Sequence, residues 1–285
     1  MELGFFDGEF ISLDEAKVRL EDRGYQFGDG IYEATHVYNG TCFALPRHLA
    51  RCRRSLRELR IPITYMDEEL TAIHQDIIKK SGIKDGAIYY QITRGTAPRT
   101  HYFPEHVVPH LSMTIRESKP NAEWQENGIH CTLFEDIRWL RCDIKSLNLL
   151  GNVLAKQAAH DKGVQGTIQF RKDQNLITEG SSSNFYIVKD GIIWTHPLNH
   201  YILKGVTRSI LMEEIIPKLG LTVVEKAFSP EFALSADEAF VTSTSLEVTP
   251  VVNIDGHTIG QGAPGKITQS LLTEYHRLVR QECYA

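Results

Sequence analysis

Apolar and polar residues alternate over several short runs of the chain, and turn residues separate the runs. Phe5-Phe6 and Phe10-Ile11 flank Asp7-Gly8, so residues 3 to 20 read as short strands. Ile31 to Tyr38 alternates and reads as a strand. Asn39-Gly40 is a strong two-residue hairpin signal, with Thr41 to Leu45 as the returning strand. Pro46 suits the first turn of a helix over Arg47 to Leu59, and a second helix covers about Asp67 to Ser81 with Gly82 as its stop. Ala87 to Arg94 and His110 to Arg116 are further strands, joined by a loop with prolines at 98 and 104.

Residues 117 to 127 are polar and turn-prone, which places a domain boundary there: residues 1–117 form one domain and 118–285 the other. The second half opens with a strand, Ile129 to Phe134. A strand-like run from Ile137 to Asn148 follows and ends on Lys145, and a helix covers Leu149 to His160. Gly166 to Arg171 and Leu176 to Glu179 pair about a turn at Asp173-Gln174-Asn175, and Phe185 to Val188 pairs with Ile192 to Thr195 about Asp190-Gly191. A helix over Val206 to Leu219, a strand over Thr222 to Glu225 and a short helix from Ser229-Pro230 come next. Ala239 to Thr242 is a strand, Val251 to Ile259 a hairpin turning at Asp255-Gly256, and Gly265 to Gln281 the last helix. Hairpins with interspersed helices indicate α+β, not a doubly wound parallel sheet.

Composition narrows the class. Over 285 residues the chain is 42% hydrophobic and 24% charged, an ordinary globular balance with ample core. A net charge of −5 offers no basic field, so neither nucleic acid nor an anionic membrane is an expected partner. No signal peptide or apolar membrane span is evident. Five scattered cysteines without a Cys-x-x-Cys pair fit a reducing cytoplasm, and no cluster has metal spacing, so no metal is expected.

Six stretches carry candidate chemistry. A lysine ending an apolar strand is partly desolvated, which makes its amine a usable nucleophile and base; alone, such a lysine usually just reaches solvent. Glu179 ends another strand, just before Gly180-Ser-Ser-Ser183, where a carboxylate can pair with a protonated heterocyclic nitrogen. Gly205 leaves helix-start amides open for a phosphate, with Thr207 in the first turn, and Val241-Thr-Ser-Thr-Ser245 adds hydroxyls. Arg99 and His101 lie two apart in a Gly/Pro loop, a pair that suits a carboxylate. The basic helix near Arg47 to Arg54 should mostly face water, with one arginine free to turn inward to a phosphate. A lysine, a ring-nitrogen carboxylate, phosphate loops and a carboxylate trap match the needs of pyridoxal phosphate handling an amino acid.

Three stretches resemble the fold-type IV pyridoxal-phosphate aminotransferases: Glu21-Asp-Arg-Gly-Tyr-Gln-Phe-Gly-Asp-Gly30, Glu135 to Leu150, and Thr178-Glu-Gly-Ser-Ser-Ser-Asn184. The Arg99-x-His101 loop points to the D-amino acid branch of that family. The resemblance implies a small N-terminal α/β domain, a larger C-terminal domain with a barrel-like sheet that carries the lysine, and pyridoxal 5′-phosphate between them. It implies that Lys145 holds the cofactor and moves the proton, and that Glu179 sits beside the pyridine nitrogen. It further implies that Arg51, Val206, Thr207, Ser243 and Thr244 contact the phosphate. Tyr32, Arg99 and His101 would trap the substrate carboxylate, with the Arg and His delivered across a homodimer interface. The implied reaction is ping-pong transamination of D-amino acids such as D-alanine with 2-oxoglutarate or pyruvate. An L-branched-chain aminotransferase, an amine transaminase or an aminodeoxychorismate lyase are alternatives on the same scaffold.

Overall fold

The computed structural model describes residues 2–14 and 17–284. By backbone contacts the chain divides into two compact units. One holds the residues up to Lys119 together with Ile144–Asn148 and the C-terminal residues from Val279. The other holds Pro120–Asp143 and Leu149–Leu278.

The first unit is built on a six-stranded antiparallel sheet. Its strands are β1 (Leu3–Phe6), β2 (Glu9–Ile11), β3 (Gly30–Tyr38), β4 (Thr41–Cys42), β5 (Gly86–Thr93) and β6 (His110–Glu117), in the order β2-β1-β6-β5-β3-β4. Asn39 and Gly40 both take positive φ, which suits the right-handed twist of the two strands they join. Beyond β2, residues 12–14 and 17–20 form no strand, and part of that expected strand region lies outside the described residues. Three helices accompany the sheet: α1 (Arg23–Phe27), α2 (Leu45–Glu58) and α3 (Asp67–Ser81). In α2, Leu45, Leu49, Cys52 and Leu56 recur at helical spacing and are buried in one cluster with Ile31, Ile88 and Tyr90 of the sheet.

The second unit holds a nine-stranded mixed sheet. With α4 (Ala122–Asn127) before it, the chain runs through β7 (Ile129–Glu135), α5 (Leu150–Asp161), β8 (Gly166–Arg171), β9 (Leu176–Gly180), β10 (Asn184–Lys189) and β11 (Ile192–Thr195). It continues through α6 (Val206–Ile210), α7 (Ile216–Lys218), β12 (Thr222–Glu225), α8 (Pro230–Leu234), β13 (Glu238–Ser243), β14 (Glu247–Ile254), β15 (His257–Thr258) and α9 (Lys266–Cys283). The order is β12-β11-β10-β13-β14-β7-β8-β9, with β15 on β14, and β7 lies parallel to both β14 and β8. The expected helix over 206–219 is one helical run interrupted by a π turn at Leu211–Ile215, just before Pro217, which has no N–H to continue the regular ladder.

Two expectations change. The polar linker at 117–127 contains α4, capped by Asn121 accepting from the Trp124 amide. The run from Ile137 to Asn148 is not a strand. Arg138 folds back on Asp136, which accepts from its backbone N–H, and only Ser146 makes an isolated bridge, to Ile31. The alternation there reflects a loop whose Ile137, Trp139 and Leu140 are exposed. The pentapeptide Ile144–Asn148, which carries Lys145, groups with the first unit by backbone contacts.

Candidate active site

In the first unit, β3 and α2 place a buried charged group around Arg51. The Arg51 Nε and Nη2 donate to Glu33 Oε1 and Oε2, each at 2.8 Å, and His48 Nδ1 lies 3.0 Å from Oε2. Glu33 has no exposed surface. Burial alone would raise its pKa, but the Arg51 charge and paired hydrogen bonds, with His48, hold it at about 2. Burial keeps His48 below the usual histidine range, and because the ionised Glu33 carboxylate can only accept, the His48 Nδ1–H is the donor. Arg51 thus turns inward, and the partner it meets there is the Glu33 carboxylate. Its partners Glu33 and His48 went unread in the sequence; the inward parity of Glu33 on an apolar strand was the available signal.

Lys145 is half-buried, with its carbonyl accepting from the Tyr32 amide and its own amide donating to Ser55 Oγ. Its Nζ lies 4.0 Å from the centre of the Tyr32 ring and makes no hydrogen bond or ion pair among the described residues. Tyr32 and Lys145 are therefore together. Arg99 and His101 lie on an exposed bend, and both reach Phe27: the Arg99 guanidinium is 4.8 Å from that ring's centre and the His101 ring 5.6 Å.

In the second unit, Glu179 ends β9 and is buried. Arg138 Nη1 donates to its Oε1 at 2.6 Å, Asn184 Nδ2 to its Oε2 at 2.9 Å, and the Leu203 amide approaches both oxygens at 3.2 Å. Arg138 also donates from Nε and Nη2 to Asp136, which Thr178 Oγ1 and Arg171 support. Burial raises the Glu179 pKa, and the Arg138 charge only partly opposes that. Asp136 and Arg138 were not read as site residues; a buried pair so distant from Glu179 in sequence leaves no local pattern.

Asn184 Nδ2 also donates to the Leu203 carbonyl, which brings the Glu179 carboxylate beside the start of α6. A Cβ on Gly205 would meet Asn184 Oδ1 at 2.2 Å, so only glycine permits this approach. Val206 and Thr207 open α6 and are buried, and Ser243 and Thr244 are half-buried at the end of β13. The Thr207 and Thr244 hydroxyls have no hydrogen-bond partner among the described residues, whereas Ser243 Oγ accepts from the Leu246 amide. In the first unit the Lys145 amine has the chemistry of an aldehyde-binding group; in the second, the buried Glu179 carboxylate beside the α6 start suits a protonated ring nitrogen, and the Thr207 and Thr244 hydroxyls suit a phosphate. Among the described residues no group of three or more His, Cys, Asp or Glu side chains could hold a metal ion.

A family model described as amino-transferase class IV matches residues 30–254. The D-alanine aminotransferase of Staphylococcus haemolyticus is 47% identical over 277 residues, covering 96% of this chain and 97% of its own. Among solved structures, the branched-chain amino acid aminotransferase of Escherichia coli aligns with a TM-score of 0.91 at 26% identity, covering 97% of this chain and 94% of that one. Another branched-chain amino acid aminotransferase, solved with pyridoxamine 5′-phosphate, aligns at 0.87 and 25% identity, covering 96% and 93%. The branched-chain aminotransferase of Thermoproteus uzoniensis, solved with norvaline, aligns at 0.87 and 26% identity, covering 99% and 96%.

Proposed function

The chain belongs to the class IV aminotransferases, a pyridoxal-phosphate-dependent family, and from there we propose that it moves the amino group of D-amino acids such as D-alanine to 2-oxoglutarate or pyruvate, in a ping-pong cycle. The observation that carries the reading is the unengaged Lys145 amine against Tyr32, in a chain 47% identical to a D-alanine aminotransferase over nearly its whole length. The branched-chain enzymes share the fold at lower identity, and the Arg99-x-His101 pair favours the D-amino acid reading over theirs.

Lys145 Nζ is the proposed point of attachment for the cofactor aldehyde and, once released, the base that takes the substrate α-proton and later returns it. When bound, pyridoxal phosphate supplies the electron sink that acidifies that α-hydrogen. Glu179 would accept a hydrogen bond from the protonated pyridine nitrogen. Beside a positive ring nitrogen, the Glu179 carboxylate would gain a charge partner that offsets the desolvation now raising its pKa. Arg138 and Asn184 hold the carboxylate in place for this task. Arg51, oriented by Glu33, together with the Val206 and Thr207 amides and the Ser243 and Thr244 hydroxyls, would receive the phosphate. Tyr32 packs against the lysine amine and contributes to the substrate subsite. Arg99 and His101 would hold the α-carboxylate so that the D-enantiomer presents its hydrogen to Lys145.

The active assembly is proposed to be a homodimer, in which each chain lends Arg99 and His101 to its partner's site. No helix among the described residues is long and apolar enough to cross a membrane. Five unpaired, buried cysteines support a cytoplasmic setting.

Turnover of a D- and L-amino acid panel with 2-oxoglutarate tests the reading: D-alanine is expected to be much the faster, and faster turnover of L-alanine overturns it. Lys145→Ala is expected to lose the visible absorbance of bound cofactor and at least about 10⁴-fold in turnover. A variant that kept both would remove Lys145 from the role.

A further inference from the structure

The stretch from Asp22 to Gly30 is accounted for by none of the roles above, although two of its side chains, Arg23 and Phe27, contact the Arg99–Phe103 loop and a third, Asp29, ties Arg23 to Arg94. The Phe27 ring gathers the trap pair: the Arg99 guanidinium lies 4.8 Å from its centre and the His101 ring 5.6 Å. Arg23 lies 4.8 Å from the same ring and donates from Nη1 to the carbonyl of Thr100, the residue between the pair, at 2.7 Å. Asp29 Oδ2 accepts from Arg23 Nε at 2.8 Å and from Arg94 Nε at 2.7 Å, so one carboxylate ties both arginines. Arg94 also donates from Nη1 and Nη2 to the Arg60 and Leu59 carbonyls, and its guanidinium lies over Phe103, 3.7 Å from that ring's centre. The loop is thus fastened at Arg99, at the Thr100 carbonyl, at His101 and at Phe103. Arg99 itself has no hydrogen bond or ion pair among the described residues, so its charge is held in position by a ring and remains unneutralised.

The structure assigns a positioning role to this clamp. We propose that Phe27 aims Arg99 and His101 as one carboxylate-binding unit, and that Arg23, Asp29, Arg94 and Phe103 fix the loop that carries them. A ring suits the task because it orients a guanidinium without supplying a competing anion. A carboxylate in its place would occupy the charge meant for the substrate. The hydrogen bonds and ring contacts of the clamp lie within one chain, so it serves whichever protomer's site the loop enters. Gly28, the left-handed cap of α1 at φ 65°, ends the helix at Phe27.

The inference rests on the D-amino acid reading of Arg99 and His101, and the test separates the two. In the holoenzyme, Phe27→Leu is expected to raise the KM for D-alanine and the Kd for propionate, a carboxylate without an amino group, by roughly fivefold each. Propionate binding is read by calorimetry, and kcat at saturating D-alanine should stay within about twofold. Phe27→Tyr keeps the ring and should restore both constants. Phe103→Leu, at an exposed position that tolerates the change, should shift them in the same direction by a smaller factor. Arg99→Ala is the reference. If it leaves KM and the propionate Kd unchanged, the trap reading fails and the clamp with it. If Arg99→Ala weakens both but Phe27→Leu and Phe103→Leu change only the melting temperature, the trap stands and the clamp is overturned.

Discussion

Glu33 with Arg51 and Glu179 with Arg138 are the same pair of residue types, buried in different units, and they behave in opposite ways. Glu33 receives two parallel hydrogen bonds from one guanidinium and a third from His48, and its pKa is held at about 2. Glu179 receives one bond from a guanidinium that divides itself among Glu179, Asp136 and the Tyr201 carbonyl, and burial raises its pKa. An arginine near a buried carboxylate therefore does not decide the carboxylate's state; how many of its donors arrive does. Glu33 is compensated inside the protein. Glu179 is left short of positive charge, the condition a pyridinium nitrogen satisfies.

The largest effect that can break this contrast is on stability. Glu33→Gln leaves Arg51 buried without its counter-charge and should cost about 3–5 kcal/mol, measured by urea unfolding. A loss below about 1 kcal/mol would show that the pair is not holding the first unit together. Glu179→Gln should act on rate: turnover falls about 10²–10³-fold while cofactor is retained and the unfolding midpoint barely moves. If Glu179→Gln unfolds the protein and Glu33→Gln only slows it, the two assignments are reversed.

Acid sharpens the comparison further, because the two carboxylates contribute with opposite sign. The folded pKa of Glu33 lies below its unfolded value of 4.5, so its stabilisation is complete above that pH and is lost as pH falls toward 2. The expected loss is on the order of 3 kcal/mol, and Glu33→Gln should abolish that part of the acid profile. His48, whose pKa is lowered by burial, adds to the loss in the same direction. For Glu179 the folded pKa lies above the unfolded one, so falling pH through it relieves the buried charge and stabilises. The smallest expected effect is from Arg138→Lys, which keeps the charge but loses the forked grip on Asp136; turnover should fall by roughly tenfold. An unchanged rate would mean that the shared guanidinium does not matter to Glu179.

Much of the fold follows from local rules that a reader of the chain can apply. The helix over Asp67 to Ser81 appears with those bounds, because acidic residues open it and Gly82 closes it in the left-handed conformation. Asn39-Gly40 and Asp255-Gly256 turn where their chemistry requires. The short helix at Arg23–Phe27 was hidden by its three neighbouring glycines, although Asp22 caps it by accepting from the Gly24 amide at 2.7 Å. The strand expected to end on Lys145 is absent because Asp136 captures the Arg138 backbone and side chain, a local competition that outweighs alternation.

The residue types, and the places of Glu179 at a strand end and Val206 at a helix start, are thus properties of the sequence alone, since turn chemistry and hydrophobic period act over a few residues; the loop that carries Lys145 is not. The partnerships are not. Arg51 with Glu33, Arg138 with Glu179, and Arg94 with Asp29 join positions separated along the chain, and a charge carries no mark of which distant counter-charge it will meet. Only the tertiary structure decides how the donors of each guanidinium are divided, and with that division one buried carboxylate has its pKa lowered and the other keeps a pKa raised by burial.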